Sequence, residues 1–127
     1  MTRPHEQALL FFRKAEADLD LLDEVLASPR VGDEIIGFHC QQAAEKLLKA
    51  PLSEFGVPFP RTHSLRLLMD LLADSGQPLP DELANLDTLT PFGTLFRYED
   101  VPSDVQLDRQ TAREMIRVLR AHAESQV

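Results

Sequence analysis

Apolar residues recur every three or four positions along most of the chain, which is the period of an α-helix. A first helix is predicted from about Pro4 or Glu6 to Ala27, where Ser28 and Pro29 stop it. Its core stripe consists of Ala8, Phe12, Ala15, Leu19, Leu22 and Leu26. A weaker apolar line on another flank consists of Leu10, Ala17, Leu21 and Val25. Because a monomer needs only one core face, this second line predicts a partner surface.

Prolines, glycines and capping residues divide the remainder into helix-length pieces. The second helix is expected to start near Gly32 and Asp33, with Asp33 as its N-cap, and to extend to about Phe55. A kink or an early stop is expected at Pro51. The third helix opens at residues 62–64 and ends at Ser75 and Gly76. Its buried side is predicted to consist of Leu65, Leu68, Met69 and Leu72.

A fourth helix is predicted from about Asp81 to Tyr98, with a break near Thr90, Pro91 and Gly93. A fifth runs from about Leu107 to Glu124, with Asp108 near its cap. The residues that it is expected to bury are Ala112, Met115, Ile116, Leu119 and Ala123. No stretch shows sustained two-residue alternation, so the predicted fold class is all-α.

Composition narrows the class of protein. The 127 residues suit one domain, and no apolar run approaches the roughly 18 residues that a membrane span needs. The N-terminus lacks a secretory cleavage signature, which predicts a cytoplasmic protein without a membrane partner. Cys40 is the only cysteine, excluding an intramolecular disulfide. The net charge of −8 argues against non-specific binding of nucleic acid by the whole molecule.

Two polar flanks of the second helix are the first candidates for a site. A helical wheel places Ile36, Cys40, Ala43, Leu47 and Ala50 on a core face. One flank then carries His39, Gln42 and Lys46, and the other carries Gln41, Glu45 and Lys49. Spacing leaves two interpretations open, because such pairs are either solvated ion pairs or the lining of a groove.

Two arginines are candidates for holding an anion. Arg61 precedes His63 at the first turn of the third helix, where backbone N–H groups favour phosphate; the alternative is a local capping cluster. Arg97 and Tyr98 precede an acidic loop, so this arginine either binds phosphate or pairs with a neighbouring acid.

The fifth helix carries a basic ridge. It consists of Arg109, Arg113, Arg117 and Arg120. Such a ridge could meet RNA phosphates, the acidic first helix of another subunit, or solvent. The four histidines show no i, i+4 pair and no HExxH motif, so no metal site is predicted.

Three segments, in this order and spacing, together resemble one family: FHCQQAAEKLLKA, GVPFPRTHSLRLLMDLL and LFRYED. The chain is similar to the HEPN domain family, whose name stands for higher eukaryotes and prokaryotes nucleotide-binding. The resemblance implies an up-and-down bundle of about five helices, related to the C-terminal domain of kanamycin nucleotidyltransferase and often dimeric. It also implies a minimal nucleotidyltransferase as partner in a toxin–antitoxin type module.

Other branches of that family are metal-independent ribonucleases in which four to six residues separate an arginine from a following histidine. After Arg97 the corresponding positions hold Pro102, Ser103 or Asp104. A literal Arg-x4-His occurs at Arg117 and His122, but five residues turn a helix by about 140° and separate the two side chains. We interpret that match as coincidence.

Three hypotheses follow from the residues and the resemblance. The first is a non-catalytic HEPN protein that binds a nucleotide such as ATP or GTP, or a partner carrying one. Its candidate site residues are Arg97, Arg61, His63, Gln42, Lys46, Glu45 and Tyr98. The second is a metal-independent endoribonuclease toxin, with His63 and Arg97 as candidate catalytic residues. The third is a ligand-free interaction subunit that forms a homodimer or higher homo-oligomer through its first helix.

Overall fold

The computed structural model describes residues 3–93 and 106–127, and every regular element in these two stretches is helical. The α-helices are α1 (Pro4–Val25), α2 (Asp33–Glu54), α3 (Leu65–Asp74) and α4 (Arg109–Glu124). Two 3-10 segments, Asp81–Leu83 and Leu86–Leu89, precede a helical stretch at residues 90–93. The predicted all-α class is therefore confirmed. None of the described helices is long and apolar enough to cross a membrane.

Glycines end α2 and α3 in the same way. Gly56 and Gly76 adopt positive φ values of 69° and 82°, which residues with a Cβ rarely adopt. In each case the next residue's N–H donates back across the turn: Val57 to the Leu52 carbonyl at 2.9 Å and Gln77 to the Leu72 carbonyl at 2.8 Å. This is the Schellman arrangement, so the predicted ends near Phe55 and at Ser75–Gly76 are confirmed.

Side-chain caps hold the starts of two of the four described α-helices. Ser64 caps α3 by accepting from the Leu67 N–H at 3.2 Å, and Asp108 caps α4 by accepting from the Thr111 N–H at 3.0 Å. The hydrogen bond from the Thr111 backbone holds the pKa of Asp108 below its ordinary value. The prediction that Asp33 caps α2 is wrong, because Gly32 occupies that position and the Asp33 carboxylate instead accepts from Arg109 at 2.8 Å.

Pro51 does not stop α2. The helix continues through it to Glu54, so of the two predicted outcomes, a kink or an early stop, the early stop is wrong. The residue lies in the last turn, where the loss of one N–H removes a single intrahelical bond. The Pro51 carbonyl still accepts from the Phe55 N–H at 2.9 Å, and the turn therefore closes normally.

The predicted α-helix from Asp81 is also wrong over its first part. Asp81–Leu83 and Leu86–Leu89 are 3-10 segments, and their buried side chains Leu83, Leu86 and Leu89 recur every three residues. That spacing matches the three residues per turn of a 3-10 helix better than the α-helical period. Thr90 and Pro91 begin the following helical stretch instead of breaking one, which suits a proline in a first turn. The part of this prediction beyond Gly93 lies outside the described residues.

The helices α1 and α2 pack antiparallel and supply about half of the buried apolar residues. Contacts of His5 with Glu54, and of Asp18 with His39 and Lys46, join the two helices in opposite chain directions. The predicted core stripes are buried, except that Phe12, Leu26 and Met115 are only partly buried at the edge of the core. Helix α2 also contacts α3, α4 and the second 3-10 segment, so it lies at the centre of the bundle.

Candidate functional site

The polar flank of α2 that carries Gln41 and Glu45 is buried. Gln41 is fully buried and Glu45 is 6 % exposed, although their spacing alone also fitted a solvated helix face. Neighbouring segments cover both side chains, and every polar atom placed there must find a partner inside the protein. The local environment of this flank is therefore a packed polar cluster between α2 and the start of α3.

Glu45 is the anionic centre of the cluster. Its Oε1 accepts from His63 Nδ1 at 2.8 Å and from Gln41 Nε2 at 3.2 Å, and its Oε2 accepts from Lys49 Nζ at 3.0 Å. Burial by itself would raise the pKa of the Glu45 carboxyl, but these hydrogen bonds outweigh burial and hold the pKa below its usual value. The carboxylate consequently stays ionised inside the bundle and fixes the orientation of the His63 ring.

Gln41 joins the cluster to the N-terminal end of α3, which we call the mouth of α3. Its Nε2 also donates to the His63 carbonyl at 3.0 Å, and its Oε1 accepts from Gln42 Nε2 at 2.8 Å. The Gln41 side chain therefore attaches the His63 backbone to α2 directly. It also supports the His63 ring through its hydrogen bond to Glu45. Sequence reasoning placed Gln41 on a polar flank but not among the site residues; its signal was a glutamine four residues before a glutamate, a spacing that permits their hydrogen bond.

Residues 90–93 lie directly against the same part of α2. A Cβ at Gly37 would collide with the Phe92 ring, and a Cβ at Gly93 would collide with the side chain of Gln41. Thr90 Oγ1 accepts from the Leu65 N–H at 3.2 Å, which attaches this stretch to α3 as well. The segment that precedes Arg97 in the chain therefore starts beside the Gln41 cluster.

A second polar cluster lies between α1 and α2. Asp18, which is 8 % exposed, accepts from His39 Nδ1 at 2.9 Å and from Lys46 Nζ at 2.7 Å. Lys46, a predicted site residue, is therefore held by α1 rather than by the cluster around Glu45. The sequence analysis did not single out Asp18. The feature that could have identified it is its position directly before the core residue Leu19.

His63 and Arg61 are the solvent-facing members of the predicted site. The His63 side chain is 46 % exposed, and because Nδ1 is occupied by Glu45, Nε2 is the nitrogen left for other partners. Thr62 Oγ1 accepts from the Ser64 N–H at 3.0 Å, as expected if residues 62–64 form a local capping cluster. The His63 ring, in contrast, bonds to Glu45 on α2 and not to a neighbouring residue in the chain. Arg61 is exposed and makes no hydrogen bond or ion pair with any residue in 3–93 and 106–127.

The structure thus brings together some of the predicted site residues and not others. Glu45, His63 and, through Gln41, Gln42 form one connected cluster. Lys46 belongs to the Asp18 cluster. Arg61 adjoins His63 along the chain. Arg97 and Tyr98 lie outside the described residues.

The basic ridge of α4 is paired within the chain, in contrast to the interpretations based on its sequence. Arg113 bonds Asp23 at 2.9 Å, Arg120 bonds Glu16, and Arg117 bonds Glu114 at 2.6 Å. Arg109 bonds Asp33 and the carbonyls of Leu26, Ser28 and Val31. An open groove of about 380 Å³ between α1 and α4 is lined by two of these pairs, Asp23–Arg113 and Glu16–Arg120, and by no residue of α2 or α3. The ridge therefore offers little unpaired positive charge to RNA or to another subunit.

Other possible reactive groups are poorly placed. Cys40 is fully buried in the core, and burial raises the pKa of its thiol to about 12, so it has negligible thiolate at neutral pH. Arg117 is exposed and paired with Glu114, whereas Nε2 of His122 is buried, so this Arg-x4-His pair does not present both side chains to one surface. Among the described residues no group of three His, Cys, Asp or Glu side chains is placed to hold a metal ion.

Comparison with known proteins identifies the family but no individual relative. A search of curated proteins and a search of solved structures each gave no significant match. The family model of the HEPN domain matches residues 8–123. This range runs from the first core residue of α1 to the last turn of α4 and includes the whole Gln41–Glu45–His63 cluster. The chain therefore belongs to the HEPN domain family.

Proposed function

We propose that this HEPN protein is a non-catalytic subunit that binds a nucleotide, or a partner carrying one, at the mouth of α3. The observation that carries the proposal is the Gln41–Glu45 clamp on His63. The clamp fixes a half-exposed histidine beside Arg61, an exposed arginine without a partner among the described residues. In a chain with a net charge of −8, a fixed donor beside such a cation is suited to binding an anion.

The role proposed for each residue of this site follows from the contacts that it already makes within the protein. Arg61 would hold a phosphate through its guanidinium fork, and His63 Nε2 would donate to a phosphate oxygen when the ring is protonated. Gln42 is part-buried and uses one of its two amide protons on Gln41, so the other remains for a ligand. Glu45 and Lys46 would act as positioning residues, because their charged groups are occupied inside the protein. Arg97 and Tyr98 remain proposed contributors on the family resemblance alone.

Calorimetric titration of ATP and of GTP tests this proposal. We expect binding to the wild type and a loss of about tenfold or more in affinity for Arg61→Ala and for Arg97→Ala. Arg30→Ala is the matched control, because Arg30 is also exposed and its side chain has no partner in the described part of the chain. Absence of heat for both nucleotides with the wild type would leave the ligand-free interaction subunit as the better description.

A minimal nucleotidyltransferase is the macromolecular partner that this proposal includes. The support for it is the family resemblance, because small HEPN proteins are commonly encoded next to such an enzyme. Co-purification of the chain with the product of a neighbouring nucleotidyltransferase reading frame would support the paired module. A complex that survives Arg61→Ala but loses nucleotide binding would separate partner contact from phosphate contact.

An endoribonuclease is the second candidate, and the Glu45–His63 pair is the observation that favours it. A carboxylate that holds one imidazole nitrogen while the other stays available is the arrangement of a general base. His63 would then take the role for which no histidine follows Arg97 at the expected spacing. Incubation of the protein with total RNA in EDTA tests this activity. Cleavage should disappear in His63→Ala and persist in His122→Ala. RNA that the wild type leaves intact would exclude ribonuclease activity.

A further inference from the structure

Glu45 determines which nitrogen of the His63 ring carries the hydrogen. The carboxylate contacts Nδ1 at 2.8 Å, and an ionised carboxylate only accepts hydrogen bonds, so Nδ1 must be a donor. Burial would raise the pKa of the Glu45 carboxyl, but the hydrogen bonds from His63 and Lys49 hold it below its ordinary value of 4.5, so this contact persists at neutral pH. In the neutral ring the other nitrogen, Nε2, therefore has a lone pair and no hydrogen.

The neutral His63 ring is consequently unsuited to holding an anion. The Nε2 lone pair and a phosphate oxygen are both acceptors, so they repel each other at hydrogen-bonding distance. Protonation replaces that lone pair with an N–H donor and adds a positive charge beside the exposed Arg61. Because the His63 side chain is 46 % exposed, solvent supplies the proton directly.

We propose that binding of a nucleotide phosphate at the mouth of α3 takes up one proton from solvent, which is added to Nε2 of His63. This inference rests on the proposed function, because it concerns the regulation of the same site. Phosphate binding and ring protonation then strengthen each other, as linkage between two binding events requires. Affinity should therefore rise as the pH falls, by up to about tenfold per pH unit, over the range in which the ring of the free protein is neutral.

The elements that pack around His63 leave the ring as the titrating group. The charged side chains that they contribute among the described residues are Glu45 and Lys49 on α2, Arg61 in the preceding loop and Arg66 on α3. Lys49 bonds the second oxygen of the Glu45 carboxylate at 3.0 Å, and arginines stay protonated at every pH used here. Residues 90–93, which pack against the same part of α2, contain no titratable side chain. Histidine is the side chain that ordinarily changes charge between pH 5 and pH 8.

A hydroxyl or amino group of the ligand would require the opposite state of the ring. Such a group donates to the Nε2 lone pair, so it binds the neutral ring and takes up no proton. Its affinity would fall as the ring becomes protonated. The number of protons taken up therefore distinguishes a phosphate at His63 from a ribose hydroxyl or a base amino group at the same nitrogen.

Calorimetric titration of ATP in buffers of different ionisation enthalpy counts the protons taken up, and titrations at pH 6 and pH 8 give the pH dependence of affinity. His63→Gln is the comparison, because its amide NH₂ group reaches about as far from the backbone as Nε2 and donates at every pH. Protonation of ATP itself is common to both proteins and cancels in the difference. We expect the wild type to take up as much as about one proton more per ATP, and its affinity to increase about tenfold more from pH 8 to pH 6.

The possible outcomes separate this inference from the proposed function. Binding with equal proton uptake and equal pH dependence in the wild type and His63→Gln would overturn the inference and leave nucleotide binding in place. Wild-type affinity that rises with pH relative to the variant would assign a ligand hydroxyl or amino group to Nε2 and would also overturn it. Absence of heat for the wild type would contradict both.

Nitrogen NMR of isotopically labelled histidine provides a second measurement that does not depend on the folding of a variant. At pH 8 the free wild type should show Nδ1 of His63 with a hydrogen and Nε2 without one, as the contact with Glu45 requires. Addition of ATP should convert Nε2 to the protonated form. A hydrogen on Nε2 of the neutral ring in the free protein, or an Nε2 signal that ATP leaves unchanged while calorimetry shows binding, would contradict the inference.

Discussion

At the scale of single residues, the missing Cβ of Gly37 decides whether residues 90–93 can lie against α2. Glycine inside a helix is ordinarily destabilising by about 1 kcal/mol relative to alanine. At this position α2 accepts that loss, because the Phe92 ring occupies the space of a Cβ. The glycine therefore allows residues 90–93 to lie against α2 beside Gln41.

Gly37→Ala is predicted to lower the free energy of unfolding by about 1–3 kcal/mol, which is opposite in sign to the usual gain of alanine in a helix. The physical reason is the collision of the new methyl with Phe92. Urea unfolding followed by circular dichroism measures the change. In a Phe92→Ala background the same substitution should be neutral or stabilising, and an equal penalty in both backgrounds would show that the ring is not the cause.

At the scale of helices, the Asp18 cluster fixes how α1 lies on α2. One carboxylate receives a histidine and a lysine that are seven residues apart on α2, so a rotation of either helix would break at least one of the two contacts. Apolar packing alone tolerates small rotations better than two directional bonds do. The cluster therefore gives the α1–α2 pair a defined rotational setting.

Asp18→Asn is predicted to destabilise the protein by about 2 kcal/mol, because it leaves Lys46 part-buried without its counter-ion. Asp20→Asn provides the control: the neighbouring acid is exposed and has no partner in the described residues, so its loss should change stability by less than about 0.5 kcal/mol. The midpoints of chemical denaturation compare the two variants. A similar effect of both substitutions would mean that the Lys46 and His39 contacts contribute little.

Most helix positions could be predicted because their determinants are local. The spacing of apolar residues, the capping residues and the terminal glycines are all properties of short stretches of sequence. They predicted the ends of α1, α2, α3 and α4 to within a few residues. The 3-10 segments were missed although Leu83, Leu86 and Leu89 show a period of three, because three-residue spacing also occurs in α-helices. The burial of Gln41 could not be predicted, since it depends on Gly93 and the His63 carbonyl, which are distant in sequence.

At the scale of the whole molecule, Glu45 makes stability depend on acid. Its carboxyl has a lower pKa in the folded protein than its ordinary value of 4.5, so the folded state favours the ionised form. The resulting stabilisation is present above the ordinary pKa and is lost as the pH falls through the lower, folded value. Protonation also removes the negative charge that strengthens the hydrogen bonds from His63, Lys49 and Gln41. Acid should therefore loosen the candidate site together with the fold.

Glu45→Gln is predicted to be about 2 kcal/mol less stable than the wild type at pH 7 and to approach it as the pH falls below the ordinary glutamate value. The glutamine cannot titrate, so its stability curve should lack part of the acid-dependent loss. Urea denaturation at pH values between 7 and 3 measures this. Glu24→Gln, on the exposed face of α1, is the control and should leave the curve unchanged; a parallel curve for Glu45→Gln would show that another group causes the acid sensitivity.

The internal pairing of the α4 arginines also determines how molecules approach this protein from a distance. Because those cations are neutralised by acids of the same chain, the surplus of eight negative charges dominates the field beyond the surface. That field extends about 10 Å at 0.1 M salt, so it slows the diffusional encounter of a polyanion such as RNA and leaves neutral or basic proteins unhindered. Added salt should then accelerate encounters with nucleic acid, the reverse of its effect on proteins whose arginines face outwards unpaired.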